Sequence, residues 1–464
     1  MTIDTLPNDV LLDVFDFHLA EASKVEAWNA LVHVCQRWRG LVFESIRRLN
    51  LRIVCTNEIP VREKLDVWPA LPIVISGSVN PQSCLDNLMA ALEEHDRVCQ
   101  IELSLTWRLE DLFKALKEPF PELTVLKLRS TETPDPFFSY SGQYFGGATH
   151  LRSLSLTNIP ILEVPNLLLS CTDLVDLSLM GFPMTNLVSP DEMVTALSAL
   201  TRLQVLHLGP EFDEFHPDWQ SRHLPATRTV LPSLIELKFA GIIEYLGDFT
   251  ARIDTPLLDR LIIVVSFHLD SVLALNTPQI LRFISHVPKF LAVDEAHIGI
   301  SHASFKVWIN FFSTRTSNGV LKLEIYCIRP EEQFSCLAQF CRSPFFPLFT
   351  LECLYIDGGK YPRRHGRDDA EYTRWLELLQ PFTSVKNLYI SEDFARSMAP
   401  ALQDLGCEKA TAVLPTLENV LIEKFQLYGP VNACFSNFSA TRQLCGRPIV
   451  VSDWDRTGRE AGHR

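Results

Sequence analysis

One hexad, L-x-x-L-x-L, returns ten times between residues 123 and 422 and limits what this chain can fold into. It reads Leu123/Leu126/Leu128, Leu151/Leu154/Leu156, Leu174/Leu177/Leu179, Leu203/Leu206/Leu208 and Leu234/Leu237/Phe239. It continues as Leu258/Leu261/Ile263, Val320/Leu323/Ile325, Leu351/Leu354/Ile356, Val385/Leu388/Ile390 and Leu417/Val420/Ile422. A weaker copy stands at Val98/Ile101/Leu103, and the long gap before Val320 leaves room for a degraded one near Phe290. Eleven steps then cover the 319 residues from 98 to 417, a mean of about 29. The alternation inside each hexad is that of a strand with one apolar face. Apolar-periodic stretches between hexads predict helices over 84–95, 109–117, 190–200, 334–341 and 369–379. Each strand-plus-helix unit has an apolar edge it cannot bury alone, so the units must stack and share a core.

Template and period resemble those of a leucine-rich repeat. That resemblance implies an α/β solenoid with parallel strands on a concave face, over residues 98–445. Steps of 23 to 34 residues imply an irregular horseshoe. The Asn or Cys expected three residues after the last template leucine is missing; Thr131, Ile159, Phe182 and Glu211 stand there. Residues 51–97 read as a junction or N-terminal capping unit, with a strand over 71–75. Residues 446–464 read as a C-terminal strand and a tail that frays from Asp455.

The remaining composition mainly excludes. With 42 Lys+Arg against 56 Asp+Glu, a formal net charge of −14 argues against a general nucleic-acid binder. The greasiest stretch, Leu257 to Leu275, is interrupted by Asp259, Arg260, His268 and Asp270, too broken to span a bilayer. Twelve cysteines without a C-x-x-C pair, behind an N-terminus without a signal-like run, point to the cytosol or nucleus. Most of those thiols are expected to be buried as small hydrophobes.

Residues 1–50 have a different pattern, helical rather than strand-like. Leu6, Val10, Leu11, Val14 and Phe15 recur at three- and four-residue spacing behind Pro7, and a second run carries Trp28, Leu31, Val32, Cys35 and Trp38. The segment Leu6-Pro7-Asn8-Asp9-Val10-Leu11, with Val34-Cys35-Gln36-Arg37-Trp38 about twenty residues after it, resembles an F-box. Asp9 stands where Glu is usual, and Ile46 stands where Pro usually precedes the Arg47-Arg48 pair. The resemblance implies a small helical module that docks on the Skp-family adaptor of an SCF ubiquitin ligase, and through it on a cullin. The rest of the chain would hold a protein substrate. The expected adaptor-binding residues are Leu6, Pro7, Val10, Leu11, Val14, Phe15, Leu31, Val34, Cys35 and Trp38. Two short helices cannot close a core alone, so an apolar face is left to meet a partner or the repeats.

Alternation along the strands predicts which residues leave the core. Toward the C-terminus these are Lys322, Glu324 and Tyr326; Tyr355 and Asp357; Asn387 and Tyr389; and Glu423. Three tyrosines on one solvent-facing sheet suggest a substrate patch, because Tyr is enriched at interface hot spots; half-buried cross-strand packing is the alternative. Two loops, Glu211–Trp219 (acids among aromatics) and Lys360–Arg367 (basic), are lesser candidates.

Phosphate-binding, dinucleotide, nucleophile-elbow and zinc-protease motifs are missing, and His297 and His302 lack further ligands at zinc spacing. A non-catalytic receptor without metal or cofactor is therefore expected. The runner-up is a scaffold that docks the adaptor without ubiquitination. A hydrolase with a cryptic Cys or Ser nucleophile is the third reading.

Overall fold

The hexad leucines are the core. The middle residue of every copy, from Leu126 through Leu177, Leu237 and Leu354 to Val420, is no more than 2% exposed. The structure, a computed structural model, describes residues 5–21, 26–79, 85–106, 110–131, 148–159, 164–183, 188–211, 228–266, 278–301, 306–313, 316–327, 332–342, 348–358, 369–403, 405–425 and 429–454. Both candidate loops fall outside these, apart from Glu211, as do the tail from Asp455 and the end of the Leu257–Leu275 stretch. The chain forms two units, Met1–His216 and Pro217–Arg464.

The first unit opens with α1 (Asn8–Glu21), α2 (Trp28–Val32) and α3 (Gln36–Glu44). The second helical run is thus two helices. Cys35 takes an extended conformation (φ −157°, ψ 169°), and its Sγ accepts the Trp38 N–H as an N-cap, which breaks the run after Val32. Then come β1 (Ile53–Cys55), α4 (Val61–Val67), β2 (Ile73–Val79), α5 (Leu85–Glu93), β3 (Val98–Leu105) and α6 (Glu110–Ala115). The unit ends with β4 (Val125–Ser130), β5 (Ser153–Thr157), α7 (Val164–Ser170), β6 (Asp176–Pro183), α8 (Pro190–Leu197) and β7 (Val205–Glu211). Strands β1 to β7 pair in chain order and all in parallel. The stack therefore begins at Ile53, inside the stretch read as a junction.

A polar ladder replaces the missing asparagines. Thr106 Oγ1 donates to Val79 O (3.1 Å), Thr131 Oγ1 to Leu105 O (3.4 Å) and Asn158 Nδ2 to Ser130 O (3.2 Å). Each ties the end of one strand to the end of the strand before it. Asn158 reaches its partner from positive φ (55°), and Gly181 makes room for it: a Cβ there would lie 1.9 Å from Asn158 Oδ1.

The second unit contains β8 (Thr229–Val230), β9 (Glu236–Gly241), α9 (Ile243–Arg252), β10 (Ile253–Asp254), β11 (Arg260–Ser266), α10 (Pro278–His286) and α11 (Pro288–Leu291). Next are β12 (Glu295–Ser301), β13 (Lys306–Ser313), β14 (Thr316–Tyr326), α12 (Glu332–Cys341), β15 (Cys353–Gly358), α13 (Asp369–Leu379) and β16 (Asn387–Ile390). Last come α14 (Glu392–Gln403), α15 (Cys407–Ala412), β17 (Asn419–Glu423), α16 (Pro430–Leu444) and β18 (Val450–Trp454). The sheet order is β9-β11-β14-β13-β12-β15-β16-β17-β18, with β8 and β10 as a separate pair. The expected all-parallel series fails at β13, which runs antiparallel to both β12 and β14. Four residues link β12 to β13 and two link β13 to β14, lengths that permit hairpins but no crossover. The degraded repeat is Val293/Ala296/Ile298 on β12: Ala296 and Ile298 sit in register with Leu354 and Ile356. It lies three residues past the expected place.

Helices cover the opposite face, α12 against α13, α13 against α14 and α14 against α16. Arg442 of α16 is fully buried, and it donates to the carbonyls of Ala410, Val413, Leu414 and Leu417, closing the turn after α15. Burial pushes the thiols of Cys99, Cys171 and Cys341 up and that of Cys55 up to about 11, which keeps them protonated and unreactive. Cys445, at the end of α16, is disulfide-bonded. No helix of the described residues is long and apolar enough to cross a membrane.

Candidate protein-docking faces

Helix α1 divides its apolar residues between two faces. Leu11, Leu12 and Phe15 point inward and are 0%, 8% and 0% exposed. Phe15 packs on Trp38 of α3 at 4.6 Å between ring centroids. Trp28 anchors the other side of the module against Phe43 and Trp68, and its Nε1 donates to Arg52 O at 2.8 Å. The other face of α1 carries Val10, Val14 and Phe17, 42%, 46% and 65% exposed, with exposed Pro7 ahead of them. Positions 7, 10, 14 and 17 are a three-and-four spacing and form one stripe. Arg37 binds the start of α1, donating to Leu6 O (2.6 Å) and Asn8 Oδ1 (2.7 Å). That bond holds the corner of exposed Val34 and Cys35 at the Pro7 end of the stripe.

The ten residues expected from sequence thus separate into three groups. Pro7, Val10, Val14, Val34 and Cys35 are exposed, Leu6 and Trp38 are half-buried, and Leu11, Phe15 and Leu31 are core. Leu11, Phe15 and Leu31 pack inside the module and shape the face from within. Sequence reasoning misses Phe17, although its position seven residues after Val10 is a readable signal.

On the second unit the outward row can be traced strand by strand from the register. It runs Lys238, Ile262, Lys322, Asn310, His297, Tyr355, Tyr389, Leu421, Ser452, one residue from each of nine strands. Its centre is an aromatic stack: His297 on Tyr355 at 4.3 Å, and Tyr355 on Tyr389 at 4.1 Å with an interplanar angle of 8°. Phe312 meets the outer edge of His297 at 4.9 Å, and Trp454 closes over both tyrosines at 5.5 and 5.8 Å. Tyr355 is consequently 1% exposed, not the solvent-facing anchor expected of it; the cross-strand packing alternative describes it. Tyr389 is half-buried, and burial, with Cys353 and Glu295 nearby, pushes its phenol above the usual range. Beside the stack, Glu295, 3% exposed, takes His297 Nε2 at 2.6 Å, and Asn419 Nδ2 donates to Asn387 Oδ1 at 2.8 Å.

Toward β9 the same face turns cationic. Glu324 accepts Lys306 Nζ at 2.7 Å and Lys322 Nζ at 2.6 Å. Burial works to raise its carboxyl, and the two ammoniums more than reverse this, holding it below the usual carboxylate range. Glu324 is therefore buried, where an open position was expected. Tyr326 is 38% exposed; Asp357 and Glu423 are half-buried. Lys306 Nζ lies between the rings of Trp308 (5.9 Å) and Tyr326 (5.6 Å). Trp308 lies flat across Gly299, where a Cβ would stand 1.9 Å from its ring. Strand β13 supplies Lys306, Trp308, Asn310 and Phe312 to this face, and it carries no hexad.

Among the described residues no cluster of three or more His, Cys, Asp or Glu could hold a metal ion. No family model matches the sequence, and no curated protein matches it. Among solved structures, the leucine-rich repeat-containing protein LegL7 from Legionella pneumophila is similar over 80% of this chain and 98% of its own, at 15% identity and a TM-score of 0.28. The repeat architecture of each unit rests on its own strand pairing and buried hexads.

Proposed function

We propose that this chain is the substrate-recognition subunit of an SCF-type ubiquitin ligase. Its N-terminal module docks a Skp-family adaptor, and through it a cullin, while the repeat units hold a protein substrate. The reading rests on the F-box-like pair of sequence elements and is carried by one observation, the outward stripe of Pro7, Val10, Val14 and Phe17. A helix that has already buried Leu11 and Phe15 has no internal use for a second apolar face, and exposed apolar stripes of this kind mark interaction sites. No catalytic residue is required of the chain; such a receptor acts by proximity, raising the effective concentration of a substrate lysine. A scaffold that docks the adaptor and ubiquitinates nothing differs only in the fate of the bound protein.

The test is adaptor capture. Val14→Glu with Phe17→Glu changes only exposed positions, so the module should stay folded while capture by a purified Skp-family adaptor falls at least about a hundredfold. Unchanged capture with both substitutions would refute the docking reading. Loss of capture, accompanied by proteasome-dependent accumulation of a bound protein, separates receptor from scaffold.

A further inference from the structure

Charge is unevenly spread over the outward face of the second unit. On β9, β11, β14 and β13 stand four cations, Lys238, Arg260, Lys306 and Lys322, against two carboxylates, Glu236 and Glu324. Arg260 pairs with Glu236 at 3.1 Å, and Glu324 is shared by two lysines, so its charge is spent. Lys238 forms no ion pair among the described residues, and it flanks half-buried Ile262 opposite Lys322 in the same row. The remaining carboxylates of the face, Glu295, Asp357 and Glu423, lie on β12, β15 and β17, beside the aromatic stack. A local excess of two positive charges in a chain of net charge −14 is a patch that stands out against the background.

We infer that this half of the face, centred on Lys238 and Lys322, binds an extended acidic peptide segment of a partner protein. The inference rests on the reading of the repeats as a substrate-holding surface and names the chemistry that surface selects. Charge complementarity chooses the occupant. Carboxylates of the segment meet Lys238 and Lys322, two strand spacings apart (about 10 Å). Its apolar groups lie on Ile262, Val264 and the Trp308 ring, which are half-buried and leave the middle of the patch uncharged. A long polyanion such as nucleic acid fits worse, because it runs past a patch two strand spacings wide onto the surface of a chain of net charge −14.

The experiment uses the full chain and two fluorescein-labelled peptides of about twelve residues, one alternating Glu and Pro around a central Tyr, the other with Lys in place of every Glu. Anisotropy titrations should show binding of the Glu peptide only, weakening at least about fivefold between about 50 and about 300 mM salt. Lys238→Glu with Lys322→Glu should weaken it at least about tenfold, and the neutral pair Lys238→Gln with Lys322→Gln by an intermediate factor. The Gln pair keeps the result readable if Glu at 322 disturbs Glu324. Absence of Glu-peptide binding, equal binding of the Lys peptide, or indifference to both pairs would overturn the inference. So would a single-stranded oligonucleotide that displaces the peptide at lower concentration than unlabelled peptide does. Val14→Glu/Phe17→Glu should leave peptide binding unchanged. Adaptor capture and peptide binding can therefore fail separately, and each failure identifies which reading is wrong.

Discussion

The two units bury the same hexad and present outward faces of different chemistry. In the first, the residues between the template leucines are Gln100, Glu102 and Ser104, then Lys127 and Arg129, then Ser153, Ser155 and Thr157, then Asp176 and Ser178. These are polar, mostly small or charged, and the ion pair of Lys127 with Glu102, at 2.7 Å, is open to solvent. In the second, the corresponding positions hold stacked rings, a half-buried His on a buried Glu, and a lysine-shared carboxylate. The difference teaches that inward residues are interchangeable between repeats because they serve one packing rule, while outward residues are released from it. The first face is hydrated surface; the second has begun to bury itself, which makes it a rigid platform.

The sharpest test of the shared rule is a matched pair of core truncations. Leu177→Ala and Leu388→Ala, both at fully buried positions, should each destabilise by about 2–5 kcal/mol in denaturant unfolding. If one substitution shifts only part of the transition, the units unfold separately; if both shift the whole curve, they unfold as one. A smaller effect tests the contrast between the faces. Tyr389→Ala removes the ring stacked on Tyr355 and should cost about 1–2 kcal/mol with altered near-ultraviolet dichroism. Ser155→Ala, its counterpart on the first unit, should stay within about 0.5 kcal/mol. Equal costs would erase the distinction between platform and hydrated surface.

The smallest effect is electrostatic. The native carboxyl of Glu324 lies below its unfolded value, so its contribution is complete above the unfolded carboxylate range. It is lost as pH falls through the lowered native value. The stability gap between the parent and Glu324→Gln should thus be constant near neutrality and close below about pH 4. Glu102→Gln, which breaks the solvent-exposed Lys127–Glu102 pair, should change stability by less than about 1 kcal/mol at neutral pH.

Much of the fold was legible because burial acts on sequence with a short period. The hexads located β3 to β7, β9, β11 and β14 to β17, with β12 displaced by three residues, but not the two-residue strands β8 and β10, and the intervening pattern located α5, α6, α8, α12 and α13. Strand β13 escaped because Lys306–Ser313 alternates without leucine and belongs to no repeat. The break between α2 and α3 escaped because cysteine is an uncommon N-cap, and the polar ladder because Thr106, Thr131 and Asn158 stand at or beside the expected position with different chemistry. Of the candidate faces, α1 was visible as an apolar helix, but which of its residues stay outside was not. Leu11 and Val10 are adjacent and equally greasy, and only the packing of Trp38 against Phe15 decides which side is closed.

The sequence alone determined that this chain must stack strand-and-helix units around a leucine core behind a helical N-terminal module, because periodic apolar residues leave few ways to escape water. Only the tertiary structure decided the order of strands around β13, the burial of Tyr355 and Glu324, and the grouping of Lys238, Lys306 and Lys322. Those depend on register between segments far apart in the chain. Register is set by hydrogen bonds and ring contacts across strands, and no local pattern of residues encodes it.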